Sequence, residues 1–551
     1  MSHAPAIDDE PVHIDHRARM EILVAVLLTM FLSALDQTVV GTALPRIVTE
    51  LTGNELYVWV VTIYLLAATV SGPIYAKLSD LFGRRPMMMI GVSLFLLGSL
   101  LCALSGEMWQ LILFRGIQGL GAGAIFPIAL AIIGDLFSPR ERGKYQGLFG
   151  AVFALASIIG PALGGFLTDT ISWHWVFLVN LPLGLVALFV LWRLLPQVKH
   201  PEAVKSIDYL GAGVFIAAIV PLMIGLTNAQ FGEWSDPQVG GLIAVGLVLG
   251  AVFVWVESRA GEPIIPLGLF RNRAVAGSIV ATFLITFGFF GAIIFIPRWF
   301  QFVLGSSATV SGYQMLPLMV GVLGSSVLSG QLVARTGRYK WMTVGAILTS
   351  VVGLFFLTGI HADTPIALVW LGMFLAGLGV GPSFAVFTIV VQSAVAPRIM
   401  GAATGSLTFF RQIGGSVGLA IAGTIFGSTF TNQIPLQMAD QGVPQPLIDG
   451  FSRIDPAAQG ELTNVGTDLG QQILASVPDA ARPTVEPFIG AIVDAIHQAF
   501  SIAIGNTMWL AVVAAIAAAA VVTIVVPELN LRRTTGTAET SAETSPMIPV
   551  A

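Results

Sequence analysis

Fourteen apolar segments, each long enough to cross a lipid bilayer, constrain the fold of this chain of 551 residues. A membrane-spanning helix needs roughly 20 mostly apolar residues. The segments are centred near residues 33, 67, 96, 119, 156, 184, 218, 247, 286, 322, 350, 375, 415 and 514. At about 20 residues each they occupy about half of the chain. The sequence therefore predicts an all-α polytopic membrane protein with 14 transmembrane helices.

The composition agrees with this prediction and excludes a soluble enzyme. Hydrophobic residues make up 55% of the chain and charged residues 10%, whereas a soluble domain carries about 25% charged residues. A soluble core could not bury so much apolar surface. Cys102 is the single cysteine, so neither a disulfide framework nor a cysteine metal site can form within the chain. The net charge of −5 and the lack of a basic patch with interleaved aromatic residues argue against a nucleic-acid partner.

The distribution of lysine and arginine predicts the orientation, because these residues accumulate in cytoplasmic segments. With a cytoplasmic N-terminus, the inner segments hold 20 of the 26 basic residues and the outer segments hold four. The remaining two, Arg115 and Arg411, lie within apolar segments. We therefore expect an even number of spans in the cytoplasmic membrane, with both termini in the cytoplasm.

A short charged loop joins the second and third segments. It reads AKLSDLFGRRP at residues 76–86 and contains Asp80, Gly83, Arg84 and Arg85. Glycine permits a tight reversal of the chain. The acid can accept hydrogen bonds at a helix end, and the arginines place fixed positive charge at the inner surface.

A near copy of this loop, GQLVARTGRYK, follows the tenth segment at residues 330–340 and indicates an internal repeat. The first loop resembles the signature G-x-L-x-D-R-x-G-R-R/K of the major facilitator superfamily, with Ala76 and Leu81 at two of its positions. The resemblance implies two six-helix halves and a conformational latch, in which the acid and the arginines hold the inner side shut. Because the second copy has Ala334 in place of the acid, we assign the charged latch to the first loop.

The first segment ends in LDQTVVGTALP at residues 35–45. This run is similar to L-D-x-T-I-V-N-x-A-L-P of the drug:proton antiporter families, with Gly41 in place of the asparagine. Asp36 is the one acidic residue that we place deep within a segment, where burial of an acid costs several kcal/mol. We therefore expect Asp36 to couple proton movement to transport.

The fourth segment contains RGIQGLGAG at residues 115–123, which resembles the R-x-x-x-G run associated with proton transfer in the superfamily. Asp36 lies nine residues before Pro45, or about 13 Å along a helix. Arg115 lies about seven residues, or about 10 Å, inside its segment. Since the depths agree, we expect a buried ion pair or a water-bridged contact. It can act as a proton switch or be purely structural.

The fifth segment contains Gly147 and the run GPALGG, which holds Gly160, Pro161, Gly164 and Gly165. It resembles the signature G-x8-G-x3-G-P-x2-G-G, which is associated with exporters within the superfamily. Small residues permit close approach of helices, and proline kinks a helix. We therefore expect a hinge at the interface between the two halves.

Residues 172–184 read SWHWVFLVNLPLG, like the W-R-W-I-F-x-I-N-x-P-I-G run of the fourteen-helix drug:proton antiporters of the QacA/EmrB type. We expect this run to be structural, with aromatic residues at the outer interface. The resemblance implies a cytoplasmic tail, an N-terminal half, two inserted helices, a C-terminal half with a long extracytoplasmic loop, and a disordered cytoplasmic tail. These correspond to residues 1–20, 21–195, 206–257, 272–527 with loop 429–502, and 528–551.

The end of loop 429–502 has apolar residues at helical spacing between residues 485 and 500. This spacing predicts an amphipathic helix, which either lies on the outer surface or extends the last span. A role in guiding substrate or binding a partner is the alternative.

Four polar residues are candidates for the substrate cavity: Gln37, Tyr64, Gln118 and Arg411. Arg411 lies about nine residues, or about 14 Å, inside the thirteenth segment, and no acid is near it in sequence. It can bind helix carbonyl groups, pair with an acid of another helix, or meet a polar or anionic group of the substrate.

The leading hypothesis is a proton-coupled antiporter that exports amphiphilic small molecules, as in multidrug efflux. No glycine-rich phosphate loop occurs, so ATP is not its energy source. We expect a lipophilic substrate, protons and the bilayer as partners, with no cofactor, no metal and no obligate protein partner. The alternatives are an exporter of an endogenous lipid-like or secondary metabolite and a proton-coupled importer. An enzyme would need a convergent set of His, Asp, Ser or Cys, whereas the spans offer Asp36 with Arg115 and no catalytic set.

Overall fold

A computed structural model of the chain describes residues 15–51, 56–196, 207–229, 234–452, 469–477 and 482–528. These ranges are predominantly helical and contain no strand. Within them, 14 helices are long and apolar enough to cross a membrane, which confirms the predicted number of spans. Residues 1–14 and 529–551, which make up most of the two predicted tails, lie outside the described residues.

The first half of the bundle contains six spans, two of which are divided into consecutive helices. Its helices are α1 (His16–Leu51), α2 (Tyr57–Phe82), α3 (Arg84–Ala103), α4 (Met108–Leu136), α5 (Pro139–Gln146), α6 (Leu148–Thr170), α7 (His174–Leu178) and α8 (Asn180–Leu194). Two further spans, α9 (Tyr209–Asn228) and α10 (Leu242–Glu257), follow before the second half. We call α9 and α10 the inserted pair.

The second half begins after the inserted pair. Its helices are α11 (Arg273–Phe302), α12 (Ala308–Gln314), α13 (Leu316–Thr336), α14 (Lys340–Thr358), α15 (Ile366–Ser393), α16 (Met400–Asp440), α17 (Gln445–Ser452), α18 (Leu469–Ser476), α19 (Arg482–Val485) and α20 (Ile489–Ile524). Buried apolar side chains between residues 269 and 526 form one core, whereas those between residues 22 and 195 form two others. Each half therefore has a hydrophobic core of its own.

Two tight turns lie at one end of the bundle. Gly83 between α2 and α3 has a φ of 98°, and Gly337 between α13 and α14 has a φ of 72°. Glycine adopts such positive φ values without the strain that a side chain would bring. A glycine with positive φ at the same place in both halves agrees with the internal repeat, although the ψ values of 155° and 0° make the two turns different. We call this end, which also carries Arg84 and Arg338, the basic end.

The connection predicted over residues 429–502 is shorter than expected, because both adjoining spans continue into it as helices. Helix α16 runs to Asp440 and α20 begins at Ile489. Phe430, Ile434 and Met438 recur every four residues and are buried, so α16 keeps a packed face beyond its most apolar part. The amphipathic spacing before residue 500 therefore extends the last span, which was one of the two predicted positions.

The inserted pair lies along the seam between the two halves. Helix α9 contacts α2 of the first half and α16 of the second, and the Phe215 ring centroid lies 5.2 Å from that of Phe409. At the basic end, Lys77 of α2 forms a 2.6 Å salt bridge with Glu262, which follows α10. At the opposite end, Trp234 Nε1 donates to Thr424 Oγ1 of α16 at 2.9 Å. These two polar contacts thus reach the first half at the basic end and the second half at the opposite end.

Close helix packing in the second half depends on glycine, which gives a stability prediction. A Cβ at Gly418 of α16 would lie 2.6 Å from the carbonyl carbon of Phe287 in α11, whereas a Cβ at Gly427 would meet nothing within 4 Å. We expect Gly418→Ala to lower the free energy of unfolding by about 1–3 kcal/mol, because α11 and α16 must separate. Gly427→Ala should leave it unchanged or raise it slightly. Thermal unfolding in detergent compares the two variants, and equal melting temperatures would contradict the assigned contact.

Candidate functional site

Asp36 lies in the middle of the first half, where its carboxylate is fully buried. Its Oδ2 forms a 2.5 Å ion pair with Nη1 of Arg115, and the exposed fractions of the two side chains are 0% and 1%. The apolar residues around Asp36 bury α1 against α4, and the equal depth of the two residues brings their charges together. The contact expected from the depth calculation is therefore present as a direct ion pair.

Two amide side chains complete the contacts of this carboxylate. Gln118 Nε2 donates to Asp36 Oδ1 at 2.8 Å, and Asn180 Nδ2 donates to the same oxygen at 3.0 Å. Gln118 Oε1 in turn accepts from Arg115 Nη1 at 2.8 Å. An ionised carboxylate is an acceptor alone, so a set of three donors matches the charged form of Asp36.

Further side chains hold these donors in place. The Tyr64 ring lies beneath the Arg115 guanidinium, with 4.0 Å from its carbon to the ring centroid. The Tyr64 hydroxyl and Ser33 Oγ are 3.2 Å apart. Asn180 Nδ2 also donates to Ser99 Oγ at 3.0 Å. Helices α1, α2, α3, α4 and α8 therefore all contribute to one polar network, which we call the Asp36 network.

The structure corrects the roles expected for two cavity candidates. Tyr64 and Gln118 are completely buried, so they support the Asp36 network and do not line an open cavity in this conformation. Gln37 is half-buried, and its Nε2 donates to the carbonyl of Ser33 at 3.4 Å. Gln37 and Arg411 therefore remain candidates for contact with substrate.

Asn180 is a site residue that the sequence interpretation missed. It lies in the run 172–184, which was expected to be structural. The same run is anchored to α1 through Trp173, whose Nε1 donates to Glu50 Oε2 at 2.9 Å. Hydrogen bonds from Arg46 and Trp173 hold the pKa of Glu50 below its usual value. The run thus docks on α1 at two points and brings Asn180 to Asp36. An asparagine within an apolar segment was the available signal.

The loop at the basic end joins the two halves through Asp80. Its Oδ1 accepts from the backbone N–H of Gly401 at 2.9 Å, and its Oδ2 accepts from that of Ala402 at 2.7 Å. These groups open α16, so a carboxylate of the first half caps a helix of the second half. Arg84 Nη1 pairs with Asp80 Oδ1 at 2.5 Å, and its Nε pairs with Asp135 at 2.9 Å. We call these residues the Asp80 latch.

Arg85 does not take part in this contact, contrary to its expected place in the latch. Its Nη2 donates to the carbonyl oxygen of Trp192 in its own half. Arg84 and Arg85 are neighbours on α3, and consecutive positions on a helix point about 100° apart. Asp135, at the end of α4, is the second acid that pairs with Arg84, and the sequence interpretation did not identify it.

The repeated loop meets the first half in a different way. A Cβ at Gly143 of α5 would lie 3.2 Å from the Cβ of Ala334, and Gly143 and Gly330 approach through their backbones. Helix α5 is capped by its own residues, since Glu141 Oε2 accepts from the backbone N–H of Ser138 at 3.1 Å. The second copy therefore closes by close packing, without an acid that crosses to the other half.

A pair of glutamines adds a third contact between the halves near the basic end. Gln146 Nε2 donates to Gln392 Oε1 at 2.6 Å, and Gln392 Nε2 donates to the carbonyl of Leu130 at 3.0 Å. Both glutamines are fully buried. Together with the Asp80 latch, they close the bundle at the basic end in this conformation.

The expected hinge residues do not all lie between the halves. A Cβ at Gly164 would lie 2.8 Å from the carbonyl oxygen of Val39, and Gly160 faces Thr38, so both pack against α1 of their own half. Gly165 has no neighbour within 4 Å of such a Cβ. Spacing along the sequence does not fix which helix faces which side of α6.

Gly147 and Pro161 are the residues of this run that meet the second half. A Cβ at Gly147 would lie 2.9 Å from the Cα of Val327 in α13, and one at Gly312 would lie 3.6 Å from Pro161 Cγ. The expected interface therefore falls on these two residues, one directly before α6 and the other near its middle.

Arg411 lies in α16, half-buried, and is not paired with an acid in the part of the chain that the structure describes. Its Nη2 donates to the carbonyl oxygen of Ser383 at 2.9 Å. Its guanidinium carbon lies 4.6 Å from the Phe384 ring centroid. Of the three contacts considered from sequence, the structure therefore contains the one to a helix carbonyl.

Known proteins resemble this chain in sequence and in fold. The family model described as Major Facilitator Superfamily matches residues 26–419. Multidrug transporter protein MdtP of Bacillus subtilis (strain 168) is 35% identical over 493 residues, 88% of this chain and 90% of that protein. Multidrug resistance protein 3 of the same strain is 38% identical over 417 residues, 75% and 80% of the two chains. The structure of the proton:xylose symporter XylE from E. coli gives a TM-score of 0.59 at 15% identity, covering 93% and 96% of the chains.

The Asp80 latch predicts how the basic end opens. A Cβ at Gly401 would lie 2.5 Å from both Asp80 Oδ1 and Arg84 Nη1, so Gly401→Val should separate the halves at this end. We place a Ser326→Cys reporter in a Cys102→Ala background and expect Gly401→Val to speed its alkylation at least about 5-fold. This factor corresponds to a loss of about 1 kcal/mol in the free energy that favours the closed basic end. Gly345→Val, at a site with nothing within 4 Å, is the control. Equal labelling rates would show that the latch does not close this end.

Proposed function

Since this chain belongs to the Major Facilitator Superfamily, we propose that it is a proton-coupled exporter of amphiphilic small molecules. The names of the two relatives, a multidrug transporter and a multidrug resistance protein, support a drug-efflux role. We propose the cytoplasmic membrane as its location, with both termini in the cytoplasm, because the basic end then faces inward. The substrate crosses without a chemical change.

The Asp36 network is the observation that carries this proposal. An acid with no exposed surface, held by three donors from other helices, can change charge only if the network rearranges. Protonation removes the charge that attracts Arg115 and adds an O–H donor where the network offers only donors to the carboxyl group. Gain or loss of a proton therefore changes which packing of α1 against α4 and α8 is favoured, as coupling requires.

The energy available from protons is sufficient for export. A proton that moves inward gains about 2.3 kcal/mol per 100 mV of membrane potential and about 1.4 kcal/mol per pH unit. A few kcal/mol support roughly a 100-fold concentration ratio of substrate. The proposal needs no other energy source.

The transport cycle follows from alternation between the two ends of the bundle. The conformation described here is closed at the basic end by the Asp80 latch and the glutamine pair. In the proposed cycle, the Asp36 network rearranges while the basic end is closed, Asp36 takes up a proton from the outer side, and substrate enters after the latch opens inward. The proton and the substrate favour opposite conformations, so the inward movement of one is coupled to the outward movement of the other.

We propose the division into two halves, an inserted pair and two tails as the functional organisation of the chain. The halves rock against each other, and Gly147 and Pro161 lie where α6 meets the second half. An exporter of an endogenous lipid-like or secondary metabolite would use the same machinery. The direction in which substrate moves against its concentration gradient distinguishes both kinds of exporter from an importer.

Asp36→Asn tests the coupling. The amide preserves shape but cannot exchange a proton, so we expect export driven by a pH gradient in proteoliposomes to fall at least about 10-fold, a barrier change of about 1.4 kcal/mol or more. Equilibrium substrate binding should change little. Glu21→Gln, an exposed acid on the same helix with a surface ion pair, should retain export. A panel of lipophilic dyes in inside-out vesicles provides the readout. Concentrative export by Asp36→Asn would refute the assignment, and gradient-driven uptake in place of extrusion would indicate an importer.

A further inference from the structure

Arg411 is a membrane-embedded cation whose surroundings in the protein leave it incompletely satisfied. One contact is the hydrogen bond to the Ser383 carbonyl, and its Nε is buried without a hydrogen-bond partner. The described carboxylates include none within 4 Å of its guanidinium. The hydroxyl of Ser383 is also buried without a partner.

Other buried arginines are satisfied more fully, and Arg142 achieves this without an acid, by donating to the backbone carbonyls of Phe137 and Gly134. Arg115 pairs with Asp36, and Arg84 pairs with Asp80 and Asp135. A charge removed from water is strongly unfavourable unless it is paired and hydrogen-bonded. Arg411 keeps its charge, since guanidinium groups remain protonated in proteins. Its environment therefore favours binding of an anion other than the carboxylates of the described residues.

The helix geometry places Arg411 away from the inserted pair. Phe409 and Ile413 belong to the cluster of buried side chains that joins α16 to α9 and α2. Arg411 is two residues from each, and two positions on a helix differ by about 200°. Its guanidinium accordingly lies against α15, over Phe384.

A row of aromatic rings connects this position to the first half. The Phe384 ring centroid lies 6.0 Å from that of Phe153 in α6, and Phe153 lies 5.3 Å from Phe126 in α4. The row begins beside the guanidinium and crosses from the second half to the first. A cation next to aromatic faces offers one ionic contact and an extended apolar surface, which is the composition of a site for an amphiphile.

We propose that Arg411 binds the anionic group of an amphiphilic substrate, such as a carboxylate or a sulfonate, while Phe384, Phe153 and Phe126 contact its aromatic part. The inference rests on the proposed function and narrows its substrate class to aromatic monoanions. A guanidinium suits this role because it presents several donors to one oxyanion.

The charge of the substrate has a consequence for energetics. Export of a monoanion in exchange for one proton moves net charge across the membrane, whereas export of a monocation in the same exchange moves none. Aromatic monoanions should therefore be exported faster when the interior is made negative at constant pH gradient.

Two probes that share one ring system provide the direct test. 1-Anilinonaphthalene-8-sulfonate carries a sulfonate, and N-phenyl-1-naphthylamine is its uncharged analogue. We expect Arg411→Gln in lipid nanodiscs to weaken binding of the sulfonate at least about 10-fold and that of the neutral probe less than about 2-fold, since one ionic contact is worth a factor of this order. Arg411→Lys should retain most of the affinity for the sulfonate. Phe384→Leu should weaken binding of both probes by the same factor.

The outcomes separate a binding role from a structural one. Loss of an unpaired cation should not lower the melting temperature, so Arg411→Gln should unfold at or above the wild-type temperature, while Arg115→Gln, which leaves Asp36 unpaired, should unfold below it. Equal effects on both probes, or unchanged binding of the sulfonate, would overturn the proposal. If Arg411→Gln does not fold, the wild-type protein decides: preference for the sulfonate supports the proposal, and equal or weaker binding overturns it.

This test is independent of proton coupling. Binding is measured at equilibrium without a pH gradient, so it does not require transport or a functional proton switch. Concentrative export by Asp36→Asn would refute the coupling assignment and leave the anion site intact. Loss of the probe preference would remove the anion site and leave the exporter proposal standing.

Discussion

The need to pair a charge within the bilayer organises the first half of this protein. Asp36 and Arg115 neutralise each other at 2.5 Å, and Gln118 and Asn180 supply the remaining donors. Because these side chains come from α1, α4 and α8, the relative positions of those helices are linked to one carboxylate. An apolar core alone would hold the same helices together, but its packing would not respond to a proton. In the proposed mechanism, the polar network adds that response to an otherwise apolar bundle.

Closure at the basic end combines two kinds of contact that differ in their physical basis. On one side, Asp80 caps the first turn of α16, which is an electrostatic contact that depends on an ionised carboxylate and on Gly401. On the other side, Gly143 and Gly330 meet through their backbones, which is a contact of shape. The repeat in the sequence thus places a glycine turn at the same point of both halves but produces unequal attachments. The strength of the Asp80 contact depends on nearby charges, whereas the contact between Gly143 and Gly330 depends on the distance between the two helices alone.

Hydropathy was sufficient to predict the fourteen spans, because the length of an apolar segment is a local property. The depth of a residue along its helix could also be predicted, and it placed Asp36 and Arg115 at the same level of the bundle. Rotation about the helix axis was not readable, since it depends on neighbours that are distant in sequence. For this reason Tyr64 and Gln118 are buried where a cavity was expected, Gly160 and Gly164 face α1, and Arg85 points away from the latch. Asn180 was overlooked because its run looked like an interfacial motif. The expected loop was too long because small and periodic residues let α16 and α20 continue as helices.

The attachments of the inserted pair limit how the two halves can move. The salt bridge between Lys77 and Glu262 ties the pair to the first half at the basic end, and the bond from Trp234 to Thr424 ties it to the second half at the opposite end. These ties form a diagonal across the seam. The chain also joins the pair to the second half at the basic end, because the segment that contains Glu262 leads from α10 into α11. In the proposed rocking motion, the inserted pair would therefore cover the seam, because it contacts both halves.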